Sequence, residues 1–210
     1  MRFNPVDHII CMDKPKYFSG KSAWVEHLPF AFWIISVLRP KVFVELGTHY
    51  GDSYFAFCQA LKELNVMTSS YAIDTWQGDE HAGIYGPELL HSVRKYHDSE
   101  YASFSRLIQT TFDQAVFYFQ DKSIDLLHID GLHTYEAVKH DFETWLPKMS
   151  QSGIVLFHDT NVREGNFGVW RFWGEIREKY PNHEFIHGHG GIIFGLTSWE
   201  KAVEVGLTLQ

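Results

Sequence analysis

The chain is poor in cysteine, in long apolar runs and in positive charge. Among 210 residues there are two cysteines, Cys11 and Cys58, and they form no C-x-x-C pair. No disulfide framework follows from them, and a reducing cytoplasm is the expected setting. The longest apolar stretch, Leu28 to Leu38, contains Pro29 and Ser36 and is shorter than the ~18 residues a membrane helix needs. Asp7 and Asp13, with no small-residue cleavage pattern, do not read as a signal peptide. Lys and Arg number 18 against 26 Asp and Glu, for a net charge of −8. Nucleic-acid binding relies on clustered cations, and the longest cluster here, Arg94-Lys95, is followed by Tyr96-His97-Asp98. Internal repeats, low-complexity stretches and linkers are also missing, so residues 1–210 are expected to form one domain.

What the chain does have is a globular composition, 45% hydrophobic and 16% aromatic, with 13 histidines. Short β-branched runs alternate with helical patterns, which predicts an α/β fold: a Rossmann-like, doubly wound seven-stranded sheet with helices on both faces. The strand candidates are Val42–Leu46, Ser70–Ile73, Leu107–Gln109, Ile124–Ile129, Ile154–Phe157, His183–Ile186 and Ile192–Leu196. Tyr54, Phe57, Cys58, Leu61 and Leu64 give helical spacing over 53–64. Thr111 opens a capping box for a helix to about Phe119. Thr134 caps another helix, carrying Tyr135, Val138, Phe142 and Trp145, closed by Pro147 and Gly153. Residues 1–40 form an N-terminal segment with a helix predicted over Trp24 to Leu38. Residues 75–105 are too long for a plain crossover, which suggests a lid or a surface helix.

Open α/β sheets bind ligands beyond the carboxyl ends of their strands. After the first strand the chain reads Glu45-Leu46-Gly47-Thr48-His49-Tyr50-Gly51-Asp52-Ser53. This E-x-G-x-x-x-G loop is looser than the dinucleotide fingerprint, which argues against a nicotinamide oxidoreductase. The second strand ends at Asp74, 27 residues past Gly47, where a carboxylate can accept both ribose hydroxyls. Together these features favour an adenosine-containing cofactor. At the ends of the fourth and fifth strands stand Asp130-Gly131-Leu132-His133 and His158-Asp159-Thr160. Two carboxylates and an imidazole suit a divalent cation, Mg²⁺ or Mn²⁺, at Asp130, His158 and Asp159, the histidine leaning towards a transition metal. His133 has the chemistry of a general base. His128 is expected to be buried in its strand.

The segments 43–53, 129–135 and 153–160 resemble class I S-adenosylmethionine-dependent methyltransferases of the Methyltransferase 24 type, which include sugar O-methyltransferases and glycosyltransferase-associated members. The turn Asp130-Gly131-Leu132-His133-Thr134-Tyr135, followed by a helix with Asp141, carries most of that likeness. The resemblance implies S-adenosylmethionine (SAM) as cofactor, held by Glu45, Gly47, Thr48, Gly51, Ser53, Asp74, Thr111 and Asp130. It implies His133 and Asp130 as catalytic residues, with the cation near Asp130, His158 and Asp159. His158 stands where the metal-dependent sugar enzymes carry an acid. The acceptor would be a small polar molecule, best a carbohydrate, with no nucleic acid or membrane partner and a homo-oligomer possible. The competing readings are a metal-dependent hydrolase and a catalytically silent partner of a glycosyltransferase.

Overall fold

The computed structural model describes residues 7–185 and 193–196. Its main sheet has seven strands: β1 (Val42–Leu46), β2 (Ser69–Asp74), β5 (Ser105–Gln109), β6 (Ile124–Ile129), β7 (Met149–Phe157), β8 (Asn182–Glu184) and β9 (Ile193–Leu196). Their order is β5-β2-β1-β6-β7-β9-β8. The five strands from β5 to β7 run parallel, whereas β9 is antiparallel to both β7 and β8. The expected parallel, doubly wound sheet is therefore confined to five strands. Each of the seven strand candidates has its counterpart, although positions 186 and 192 of the last two lie outside the described residues.

Alternation along each strand sends side chains to opposite faces. Phe43, Leu126, Ile154 and Leu156 join one core with α1 (Leu28–Leu38), α2 (Asp52–Glu63) and α3 (Pro87–Glu100). Val44, Leu46, Leu127, Val155 and Phe157 join the other with α4 (Phe112–Ala115), α5 (Tyr135–Trp145) and α6 (Val169–Ile176). The sheet is thus covered on both sides. The Thr111 and Thr134 hydroxyls accept from Gln114 N and Ala137 N, so both predicted caps form.

Three boundaries differ from expectation. The predicted helix over 24–38 is a 3₁₀ turn at Ala23–His27 followed by α1, with Pro29 in the first turn of α1 where no amide donor is missed. Strand β7 begins at Met149 rather than Ile154, because a bulge lets the chain continue. The register jumps between Ile124↔Met149 and Leu126↔Ile154, and a Cβ on Gly153 would press on the Ile124 carbonyl at 2.8 Å. The stretch 75–105 divides into a small hairpin, β3 (Gly78–Asp79) with β4 (Gly83–Ile84), and α3, which buries Leu89, Val93 and His97 against the sheet. No helix among the described residues is long and apolar enough to cross a membrane.

Candidate active site

Strands β1, β2, β6 and β7 all end at the same edge, and the turns that follow them build the site. Gly47 sits at φ +87°, and a Cβ there would overlap the Asp130 carbonyl. Only glycine lets the β1 turn pass so close to the β6 turn. Asp74 organises this loop rather than standing free. Its Oδ2 accepts from Thr48 N (2.8 Å) and His49 N (2.9 Å), and its Oδ1 accepts from Trp76 N (2.7 Å). Trp76 in turn donates through Nε1 to the His49 carbonyl at 3.1 Å. Gly51, at φ +90°, caps the start of α2. His49 (φ 51°), Trp76 (φ 52°) and Asp159 (φ 57°) are left-handed although none is glycine.

A cavity of about 270 Å³ opens over this edge. Of the sequence candidates, Gly47, Thr48, Gly51, Ser53, Asp74, Thr111, Asp130 and His133 all line it. Gly78, Asp79, Ala82 and Tyr85 from the hairpin region form another wall, and Tyr85 stacks on His49 at 4.8 Å and 16°. Glu45 is not among the lining residues. It is fully buried and pairs with His128, its register neighbour on β6, through Oε2 and Nδ1 at 2.7 Å. Strand parity sends Glu45 to the face that holds Phe43, beneath the loop, where it also meets Ser53 of the cavity wall. Burial pushes the Glu45 carboxyl up, and the hydrogen bond and charge of His128 offset part of that rise. His128 is buried in its strand, as expected from the sequence.

The four chemistry-bearing residues form a closed ring of alternating acids and imidazoles. His133 Nε2 lies 3.3 Å from Asp130 Oδ1 and 3.1 Å from Asp159 Oδ2. His158 Nδ1 lies 3.3 Å from Asp130 Oδ1 and 3.2 Å from Asp159 Oδ1. Burial alone would raise Asp130, but the charge of His158 and the bonds from both imidazoles hold it well below the usual carboxylate range. Burial likewise would lower His158 and His133, yet Asp130 and Asp159 bring both above the ordinary imidazole value, His158 far above it. One donor atom from each of the four residues lies within 4.8 Å of the others. Two carboxylate oxygens and two imidazole nitrogens are a donor set that fits a divalent transition metal better than Mg²⁺. Among the described residues, His133 Nδ1 and His158 Nε2 are buried without a hydrogen-bond partner, at the positions from which ligating histidines usually donate to an outer acceptor.

His81, Asn166 and Phe167 gather beside His133, although the sequence assigns none of them a role in the site. The Phe167 ring stacks on His133 at 5.0 Å and 13°, and His81 packs against both, 4.3 Å from the Phe167 ring and 5.6 Å from that of His133. Asn166 ties the hairpin down, with Oδ1 2.6 Å from His81 Nε2 and Nδ2 donating to Glu80 Oε1 at 2.9 Å. They come from loops more than 80 positions apart, and only the fold brings them together.

The strand order, the glycine turn after β1 and the acid ending β2 define a class I methyltransferase fold. The chain belongs to the methyltransferase domain family, whose pattern matches residues 44–160. It is 49% identical over 196 residues to an uncharacterized protein of Sinorhizobium fredii, a match that covers 93% of this chain and 21% of that protein. The chain therefore spans about a fifth of that relative's length. An uncharacterized protein of Acanthamoeba polyphaga mimivirus is 25% identical over 67% of this chain and 68% of its own. Among solved structures, the O-methyltransferase TomG from Streptomyces achromogenes, determined with SAM, superposes with a TM-score of 0.64 at 12% identity, over 93% of this chain and 97% of that one. A putative caffeoyl-CoA O-methyltransferase from Staphylococcus aureus gives a TM-score of 0.62 at 16% identity, over 81% and 83%. At such identities these two likenesses concern the fold.

Proposed function

We propose that this protein is a SAM-dependent O-methyltransferase that methylates a hydroxyl of a small polar acceptor, with His133 as the base. The observation that carries the reading is the ring of Asp130, His133, Asp159 and His158, of which Asp130 and His133 line the cavity built on the Gly47–Ser53 loop.

The cavity fits the cofactor. Gly47 lets the β1 turn lie against the Asp130 carbonyl, where a Cβ would clash, and the buried Thr48 hydroxyl has no hydrogen-bond partner among the described residues. The residues proposed to hold SAM are Gly47, Thr48, Gly51, Ser53, Asp74, Thr111 and Asp130, with Glu45 acting from behind by keeping the loop in place. SAM supplies an already activated methyl group, so the chain's task is alignment and removal of a proton. A hydroxyl titrates far above neutrality and needs a base. Asp130 and Asp159 raise the proton affinity of His133, and Phe167 holds the plane of its ring. The hairpin β3–β4, tied by Asn166, serves as a lid that keeps water from that proton transfer. A divalent cation, if held by the ring, would sit at Asp130, His158 and Asp159 and lower the hydroxyl pKa. Tyr50 and Tyr85 at the cavity suit a carbohydrate, whose apolar faces pack on aromatic rings.

Calorimetry tests the core of this reading. Wild-type protein is expected to bind SAM and S-adenosylhomocysteine with micromolar affinity, and Asp74→Ala to lose it. The absence of saturable binding, with and without Mn²⁺, would refute the methyltransferase assignment.

A further inference from the structure

A second recess, a groove of about 340 Å³, lies beside α6, lined among others by Arg163, Trp170, Arg171, Gly174, Arg177 and Glu184. Trp170, Gly174 and Arg177 recur at steps of four and three, so they share one face, with Arg171 adjacent. Every cation lining the groove is an arginine, the residue whose planar fork matches phosphate oxygens two at a time. In a chain of net charge −8, three guanidinium groups around one recess reverse the local sign.

These arginines retain donors for a ligand. Arg163 lies over the Trp170 ring at 4.8 Å and Arg171 over the Tyr135 ring at 4.7 Å, and neither forms an ion pair among the described residues. Arg177 approaches Glu184 Oε2 only to 3.7 Å and Glu178 Oε1 to 3.8 Å, beyond hydrogen-bond range. Glu184 is engaged elsewhere, accepting from Trp173 Nε1 at 3.2 Å and Thr160 Oγ1 at 3.3 Å. Gly174 adds an independent observation. Glycine is a destabilising choice inside a helix, yet a Cβ at 174 would meet no heavy atom within 4 Å. Packing does not demand the glycine, and its missing side chain leaves the groove open.

We propose that this groove binds the phosphate ester of a phosphorylated or nucleotide-linked acceptor through Arg163, Arg171 and Arg177. The groove's lining includes Thr160, the residue after Asp159 of the ring, so one peptide bond links the anion site to the ring. That the anion belongs to the acceptor rests on the methyl-transfer reading above; anion binding itself does not.

The test is calorimetry on the full chain at low salt, with pyrophosphate as the probe and SAM binding measured in parallel. Saturable binding of pyrophosphate with Kd below about 1 mM is expected. The double variant Arg171→Gln/Arg177→Gln should weaken it by about tenfold or more, as should Gly174→Leu, which fills the open groove without touching a charge. SAM binding should be unchanged in both. Glucose 1-phosphate and UDP-glucose then separate the two sources, the tighter ligand naming the acceptor class. No saturable pyrophosphate binding, or binding that survives both variants, overturns the proposal. If pyrophosphate binds and SAM does not, the groove stands and the methyl-transfer reading falls.

Discussion

Asp141 offers a sharp test of how burial sets charge in this protein. It projects from α5 into the base of the β6 turn, only 7% exposed, with its Oδ2 3.4 Å from where a Cβ on Gly131 would be. Burial raises its carboxyl from the ordinary 3.8 to about 7, with the charge of Asp113 adding and that of His140 opposing. A carboxyl raised in the folded state stabilises the protein fully below its unfolded pKa and loses that contribution as pH climbs to the folded one. The span from 3.8 to about 7, at ~1.4 kcal/mol per pH unit, amounts to about 4 kcal/mol. Asp141→Asn keeps the shape of the protonated acid and cannot ionise. Its stability advantage over wild type should therefore grow by about 3 kcal/mol between about pH 5 and about pH 8, and flatten above about pH 7. Urea unfolding of both proteins across that range reads the difference, in which other titrating groups cancel. A gap that stays constant with pH would refute the assignment of a neutral, buried carboxyl to Asp141.

Three further outcomes follow from the site. Gly47→Ala places a Cβ against the Asp130 carbonyl at φ +87°; it should cost more than ~2 kcal/mol and abolish SAM binding, read by melting and calorimetry. His128→Leu leaves Glu45 buried without its imidazole and should cost about 3–5 kcal/mol, most of it recovered when Glu45→Met is added, as chemical denaturation would show. Phe167→Ala removes the ring stacked on His133; turnover should fall about tenfold or more through lost alignment, with cofactor affinity unchanged in parallel titrations.

The sheet was legible because its signals are local. The β-branched runs at 42–46 and 124–129 and the caps at Thr111 and Thr134 depend on neighbours a few positions away, and the structure keeps them. So was much of the site, since residues after strand ends must gather at one edge of a parallel sheet. What escaped was contact across the sheet. Glu45 reads as a ligand residue by position, and its buried pair with His128 on the neighbouring strand is a contact that no local pattern announces. The antiparallel course of β9 also escaped, because a short apolar run carries no mark of direction. The clasp between His81, Asn166 and Phe167 joins loops with no common pattern, so periodicity had nothing to report.

The left-handed residues His49, Trp76 and Asp159 set a limit on how far the chain can be stabilised by substitution. They follow β1, β2 and β7, so the non-glycine positions with positive φ at this edge coincide with the ligand turns. Each holds a conformation that glycine would adopt at lower cost, by roughly 1–2 kcal/mol. A search for stabilising substitutions would be drawn to these three positions first. Glycine there would relax the backbone but remove the Trp76 indole that bonds the His49 carbonyl and the Asp159 carboxylate of the ring, so stability and the site's geometry make opposite demands on the same residues.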